Sequence, residues 1–183
     1  MRIVGGRLRG RVLAGPKSQA VRPTADRLRE TLFNVLVHAY GDPVTHARVL
    51  DLFAGTGALG LEAISRGAGF ALFVDQGAEA RALLRENVAT LGLGGSTRIF
   101  RRDATKLGDA HPIEPFSLIF LDPPYGKGLA EKALLSALAG GWLADDVLMV
   151  VEEATDAFKA PEGFAEIERR KYDETEFVFL RLG

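Results

Sequence analysis

The chain has 183 residues, 47% hydrophobic and 26% charged, with no cysteine and a formal net charge of −1. That length fits one domain with a sizeable core. No apolar run approaches the roughly 20 residues of a membrane span, and the missing thiols exclude disulfides, zinc–thiolate sites and cysteine nucleophiles.

The N-terminal residues carry no apolar stretch of signal-peptide length, so a cytoplasmic protein is expected. They are strongly basic. Residues 1–30 hold eight Lys/Arg, among them Arg2, Arg7, Arg9, Arg11 and Arg22, against Asp26 and Glu30. The net there is +6, so the remaining residues sum to −7. A basic arm on an acidic body suggests a polyanion met by one face, with a solvated surface as the plainer alternative. Residues 2–13 read as a small hairpin around the turn Gly5-Gly6-Arg7-Leu8-Arg9-Gly10, followed by a loop over 14–23 with Pro16 and Pro23. Thr24 is the expected N-cap of a helix over 24–40, whose Leu28, Leu32, Val35, Leu36 and Ala39 form one buried stripe.

From residue 48 onward, strands and helices alternate. Strands are expected at 48–52, 70–74, 97–101, 118–121 and 147–151. Helices are expected from the glycine turn to about Arg66, from Ala78 to about Leu91, and over 129–138. The end reads as a hairpin, 164–171 and 176–182, around Asp173-Glu174. This alternation predicts a single α/β domain: a doubly wound, mostly parallel seven-stranded sheet with an antiparallel strand at the C-terminal end. Trp142 is expected to pack. His38, His46 and His111 are scattered without ligand spacing, so no metal site is expected.

Leu118-Ile-Phe-Leu-Asp-Pro-Pro-Tyr125 is the most informative stretch. The apolar run reads as a buried parallel strand, and two prolines without N–H groups stop it. An acid and an aromatic ring are thus held at the C-terminal end of a strand, the edge where open α/β sheets bind ligands. Such a turn suits methylation of an exocyclic amine on a flat ring. The lone pair of such a nitrogen is delocalised. Asp122 and the Pro123 carbonyl can accept its N–H groups and aim the lone pair, while Tyr125 stacks on the base. The bland reading is a Pro-Pro loop with a solvated acid and a packing ring.

Asp51-Leu-Phe-Ala-Gly55-Thr-Gly57-Ala-Leu-Gly60 follows the first long strand. Gly55, Gly57 and Gly60 fit the dinucleotide fingerprint, and Asp75 lies where a ribose-binding acid belongs. A nicotinamide cofactor is therefore one reading. Asp51 argues against it, because a carboxylate before the glycines would repel a pyrophosphate but suits the amino group of S-adenosyl-L-methionine. Asp103, after the third strand, is placed to accept from an adenine amine. Acids at four consecutive strand ends favour a sulfonium cofactor.

The chain resembles the bacterial small-subunit ribosomal RNA guanine-N2 methyltransferases of the RsmD type over nearly its whole length. The most specific matches are Arg2-Ile-Val-Gly-Gly-Arg-Leu-Arg-Gly-Arg11, Val21-Arg-Pro-Thr24 and Asp26-Arg-Leu-Arg-Glu-Thr-Leu-Phe-Asn34. Asp51–Gly60 and Asp122–Tyr125 match too, but many methyltransferases share them. The resemblance implies a class I methyltransferase fold, S-adenosyl-L-methionine as donor, and the N2 amine of one guanine in an assembled or assembling small ribosomal particle as acceptor. It implies that Asp51, Gly55 and Gly57 hold the methionine part, Asp75 the ribose and Asp103 the adenine, with Ala54 and Ala104 completing the cofactor set. Asp122, Pro123 and Tyr125 would hold the guanine, and Arg7, Arg9, Arg11 and Arg22 RNA phosphates. The family usually has Glu where Asp75 stands and often Phe where Tyr125 stands. A monomer is expected. Rival readings are a DNA adenine-N6 or cytosine-N4 amino-methyltransferase, for which the chain has no room for a target-recognition domain, a protein glutamine N5-methyltransferase, and a binding module without catalysis.

Overall fold

The computed structural model describes residues 1–16 and 23–183. Helix α1 (Pro23–Ala39) leads into β1 (Arg48–Leu52), α2 (Ala58–Ser65), β2 (Phe70–Val74), α3 (Ala78–Leu91), β3 (Thr97–Phe100), β4 (Phe116–Leu121), α4 (Leu129–Ala139), β5 (Leu143–Ala154), β6 (Phe164–Tyr172) and β7 (Thr175–Leu182). The strands form one seven-stranded sheet in the order β3-β2-β1-β4-β5-β7-β6. Strands β1 to β5 pair in parallel. β7 is antiparallel to both β5 and β6, so the closing hairpin inserts its second strand between β5 and its first. That insertion could not be read from spacing alone.

The sheet is buried on both faces, which is why its central strands are apolar without alternation. One face carries α1, α2 and α3 over Val49, Phe73, Leu118, Phe120, Val150 and Phe179. The other carries α4 over Leu50, Leu72, Ile119, Leu121, Met149 and Leu180. Trp142 is fully buried there and donates its indole N–H to the Gly108 carbonyl at 2.8 Å. The three histidines are exposed.

Several expectations shift by small amounts. α1 begins at Pro23, one residue ahead of the expected Thr24 cap, since proline suits a first helical turn. Its inner face includes Phe33, whose ring lies 5.7 Å from that of Phe120 at a tilt of 49°, while Ala39 is exposed. β5 runs over 12 residues, not five, because Leu143 pairs with Phe116 across a register shift and Glu152, Glu153 and Ala154 pair with β7. The N-terminal hairpin is reduced to one antiparallel bridge, Arg2 with Val12.

That bridge is strapped across α2 and α3. Glu62 of α2 is fully buried. It accepts the N–H groups of Val4 at 3.0 Å and Gly5 at 2.9 Å, together with Nε of Arg29 (3.1 Å) and Nε of Arg66 (2.8 Å). Ser65 receives the Leu8 N–H, and Asn87 of α3 both accepts from and donates to Ala14. Arg29 closes the latch onto Asp26 and the Arg2 carbonyl. The arm is a built layer of the domain, with Ile3, Leu8 and Leu13 in the core.

Candidate functional site

Strand order reverses at β1, whose neighbours are β2 on one side and β4 on the other. A crevice opens outside the carboxyl ends of strands at such a point. Asp51 is the penultimate residue of β1 and Asp122 immediately follows β4. Two cavities meet there, sharing Phe53 and Asp122. One, of about 350 Å3, is lined by Asp51, Ala54, Gly55, Asp122 and Glu152, among others. The other, of about 750 Å3, is lined by Asp75, Gly77, Asp103, Ala104, Pro123 and Pro124, among others. The structure therefore brings together Asp51, Ala54, Gly55, Asp75, Asp103, Ala104, Asp122 and Pro123.

The glycine turn is shaped by its neighbours. Gly57 caps α2 at φ 82°, a left-handed conformation that favours glycine. A Cβ at Gly60 would run into the Phe73 ring and stand 3.1 Å from Oδ2 of Asp51. That closeness lets Gly60 donate its N–H to Asp51 at 3.0 Å. Only 1% of Asp51 is exposed. Burial pushes its carboxyl up to about 8, against the opposing pull of the Gly60 hydrogen bond. It is a buried acid with too little positive charge around it, which fits a site for a cationic amino group.

The other two acids of this half are held by main chain. Asp75 accepts Gly55 N–H on Oδ2 at 2.9 Å and Gly77 N–H on Oδ1 at 2.8 Å. Asp103 accepts both the Thr105 N–H (2.9 Å) and the Thr105 hydroxyl (2.7 Å) on Oδ1. Those bonds hold its carboxyl below the usual range. Its Oδ2 takes no bond among the described residues. A carboxylate ready for hydroxyl donors beside one with a free oxygen fits a ribose followed by an amino-bearing ring.

The acceptor half is built differently. Neither carboxylate oxygen of Asp122 receives a main-chain N–H among the described residues. Burial, then the neighbouring Glu152 carboxylate, push the Asp122 carboxyl well above the usual range. Tyr125 donates its hydroxyl to Oε2 of Glu152 at 2.8 Å, and that hydroxyl lies 2.9 Å from the Thr175 hydroxyl. Tyr125 as a whole is 45% exposed. Glu153, buried, accepts the Gly126 N–H at 2.9 Å and so fixes the loop behind Tyr125. Glu152, Glu153 and Thr175 were not singled out by sequence reasoning. The signal that could have found them is register: β4 pairs Leu121 with Val151, so the residue after Val151 stands beside Asp122.

Arg7, Arg9 and Arg11 are exposed, but away from this crevice. Arg7 N–H bonds the Ser65 carbonyl at the end of α2, and Arg11 reaches the Thr90 carbonyl near the end of α3 at 2.8 Å. Both helices start at the crevice. At 1.5 Å per residue those ends lie about 10 and 18 Å further along. Arg22 falls outside the described residues. No group of three or more His, Asp or Glu able to hold a metal occurs among the described residues, and no helix there is long and apolar enough to cross a membrane.

The whole chain has relatives. A family model described as Conserved hypothetical protein 95 matches residues 1–181. Ribosomal RNA small subunit methyltransferase D of Escherichia coli strain K12 is 42% identical over 156 residues, covering 85% of this chain and 76% of that protein. The protein of the same name from Haemophilus influenzae is 35% identical over 159 residues, covering 85% and 80%. Among solved structures, an Escherichia coli protein provisionally named a methyltransferase superposes with a TM-score of 0.82 at 34% identity, over 100% of this chain and 97% of that one.

Proposed function

The chain belongs to the Conserved hypothetical protein 95 family, the RsmD family, and from that premise we propose that it methylates the N2 amine of one guanine in small-subunit ribosomal RNA, with S-adenosyl-L-methionine as donor. The observation that carries this reading is the Asp122-Pro123-Pro124-Tyr125 turn, whose Asp122 lines both the cavity with Asp75 and Asp103 and the cavity with Asp51 and Glu152, and whose two prolines line the first of these.

The residues present fit the donor. Asp51 meets its amino group, Gly55 lets the backbone approach while the buried Gly57, packed against Leu84, shapes the turn, Asp75 takes the ribose hydroxyls, and Asp103 with Ala104 borders the adenine. Bound there, S-adenosyl-L-methionine supplies an electrophilic methyl on a good leaving group. The protein's part is then mainly position. Asp122 and the Pro123 carbonyl accept the two amine hydrogens, turning the nitrogen lone pair toward the donor cavity. Tyr125 stacks on the base. A strong general base is not required, because the methylated nitrogen, once cationic, releases its proton readily to Asp122 or to water. The base reaches this pocket only unpaired or flipped out. Arg7, Arg9 and Arg11 hold phosphates at a distance, positioning without reading sequence.

The test is methyl transfer from labelled S-adenosyl-L-methionine to unmodified small ribosomal particles, their deproteinised RNA and duplex DNA, each digested to nucleosides. Label in N2-methylguanosine from the particles is the expected result. Label in methyladenine or methylcytosine from DNA would replace the acceptor while keeping the donor chemistry.

A further inference from the structure

We propose that Glu152 is the residue that selects guanine: its carboxylate accepts the ring N1–H while Asp122, beside it, accepts the adjacent N2 amine. The inference rests on the reading of this crevice as an amine-methylation site and deepens it.

Placement comes first. β4 and β5 pair Leu121 with Val151, so Asp122 and Glu152 are neighbours one residue further on, roughly 5 Å apart strand to strand. Phe120 and Val150, two residues back on the same strands, lie in the core beneath α1 and α2. Alternation therefore turns Asp122 and Glu152 to that same side, and both line the smaller cavity. Glu152 is not a loose surface acid. Tyr125 donates to its Oε2 at 2.8 Å, and Thr175 steadies the Tyr125 hydroxyl at 2.9 Å. The ring that would stack on the base is thus tied to the acid that would read the base's edge.

The chemistry separates the candidate bases. Guanine presents two adjacent donors, N1–H and the N2 amine. Adenine presents its N6 amine beside N1, and cytosine its N4 amine beside N3, both ring acceptors. Two carboxylates side by side match the first pattern. Against the other two, the half-buried Glu152 carboxylate faces a lone pair and gains no donor beyond the Tyr125 hydroxyl, which is costly. The raised Asp122 carboxyl is the mark of the same shortage in the empty pair: two acids crowd together with too few donors, and guanine brings them. This also separates the RNA reading from amine methylation of adenine or cytosine.

The probe is 2,6-diaminopurine riboside, which keeps the N2 amine but has an acceptor at N1. Once the labelled guanosine is located, small particles are reconstituted from RNA carrying guanosine or 2,6-diaminopurine at that position by splinted ligation, and initial rates are compared. Wild type is expected to prefer guanine by on the order of a hundredfold or more, as sites built to pair a donor do. Glu152→Gln should narrow that ratio at least tenfold, because its amide can donate to N1. Glu152→Ala should narrow it by removing the charge alone. Thermal melting and cofactor binding confirm that each variant is folded. An unchanged ratio in both variants, or a wild type indifferent to the probe, overturns the assignment while leaving guanine methylation standing. Absence of N2 label on the guanosine control overturns the underlying reading and the assignment with it.

Discussion

The two halves of the crevice use acids in opposite ways. Under β1, β2 and β3, Asp51, Asp75 and Asp103 accept hydrogen bonds from Gly60, Gly55, Gly77 and Thr105. Under β4 and β5, Asp122 and Glu152 receive no main-chain N–H among the described residues; Glu152 has the Tyr125 hydroxyl. The first half is positioned before any ligand arrives, each of its carboxylates fixed by a main-chain N–H. The second is short of donors. A preorganised half suits a donor molecule that is the same in every cycle, and an unsatisfied half suits a base whose own N–H groups complete the network.

The sharpest way to break this contrast is Asp122→Ala. Removing the acceptor that orients the nitrogen should lower single-turnover transfer by on the order of a hundred- to a thousandfold, the range seen when one oriented polar group is deleted at a reacting centre. Cofactor affinity by calorimetry should stay within a few-fold. A large loss of that affinity would make Asp122 a cofactor ligand and erase the division.

Asp51→Asn probes the other half. The Asn oxygen can still accept from Gly60, so the turn survives, while the charge facing the amino group is gone. A charged hydrogen bond of about 1.5–3 kcal/mol corresponds to roughly a 10- to 150-fold weaker cofactor. The pH behaviour has a definite sign. In the unfolded chain this carboxyl loses its proton near pH 4, but in the folded protein only near pH 8. Its charge thus opposes folding increasingly across that window, and stability falls as pH rises through it. A bound ammonium favours the ionised form, so cofactor binding at pH 7 should release a proton from Asp51. Calorimetry in two buffers of different ionisation enthalpy should detect that release in wild type and not in Asp51→Asn.

Arg7, Arg9 and Arg11 line neither cavity, so Arg7→Ala, Arg9→Ala and Arg11→Ala together should leave cofactor affinity unchanged and weaken RNA. If two or three phosphate contacts are lost, the salt dependence flattens by roughly 0.7–0.9 per contact. A filter-binding titration with unchanged affinity and slope would remove the arm from the interface.

The contrast also marks what was legible in the sequence. Strands β1 and β2 and helix α3 fall at their expected residues, because a buried parallel strand is an uninterrupted apolar run and glycines or an acid stop it. Asp51, Asp75 and Asp122 were visible because each stands at the end of such a run, and Asp103 because it follows the third strand. Glu152 and Thr175 were not. Glu152 depends on the register of β5 against β4 and on a β5 whose polar end disguised its length, and Thr175 on β7 pairing with β5 rather than lying outside β6. Glu62 escaped for a similar reason: inside a helix its carboxylate looks solvated, and only the docked arm with Arg29 and Arg66 makes it a buried hub.

The smallest expected effect is the most discriminating for Tyr125. Tyr125 is half-exposed and its hydroxyl is occupied by Glu152 and Thr175. If the ring stacks and the hydroxyl only steadies Glu152, then Tyr125→Phe removes one net hydrogen bond, about 0.5–1.5 kcal/mol. Transfer should fall only a few-fold, and the loss should appear in KM for RNA more than in the chemical step. Tyr125→Ala, which removes the ring, should cost a further 1–3 kcal/mol of base stacking. A hundredfold fall in single-turnover rate for Tyr125→Phe would place the hydroxyl itself in the chemistry and move Tyr125 from stacking partner to proton carrier. Equal, slight losses for Phe and Ala would instead show that the base never lies on this ring.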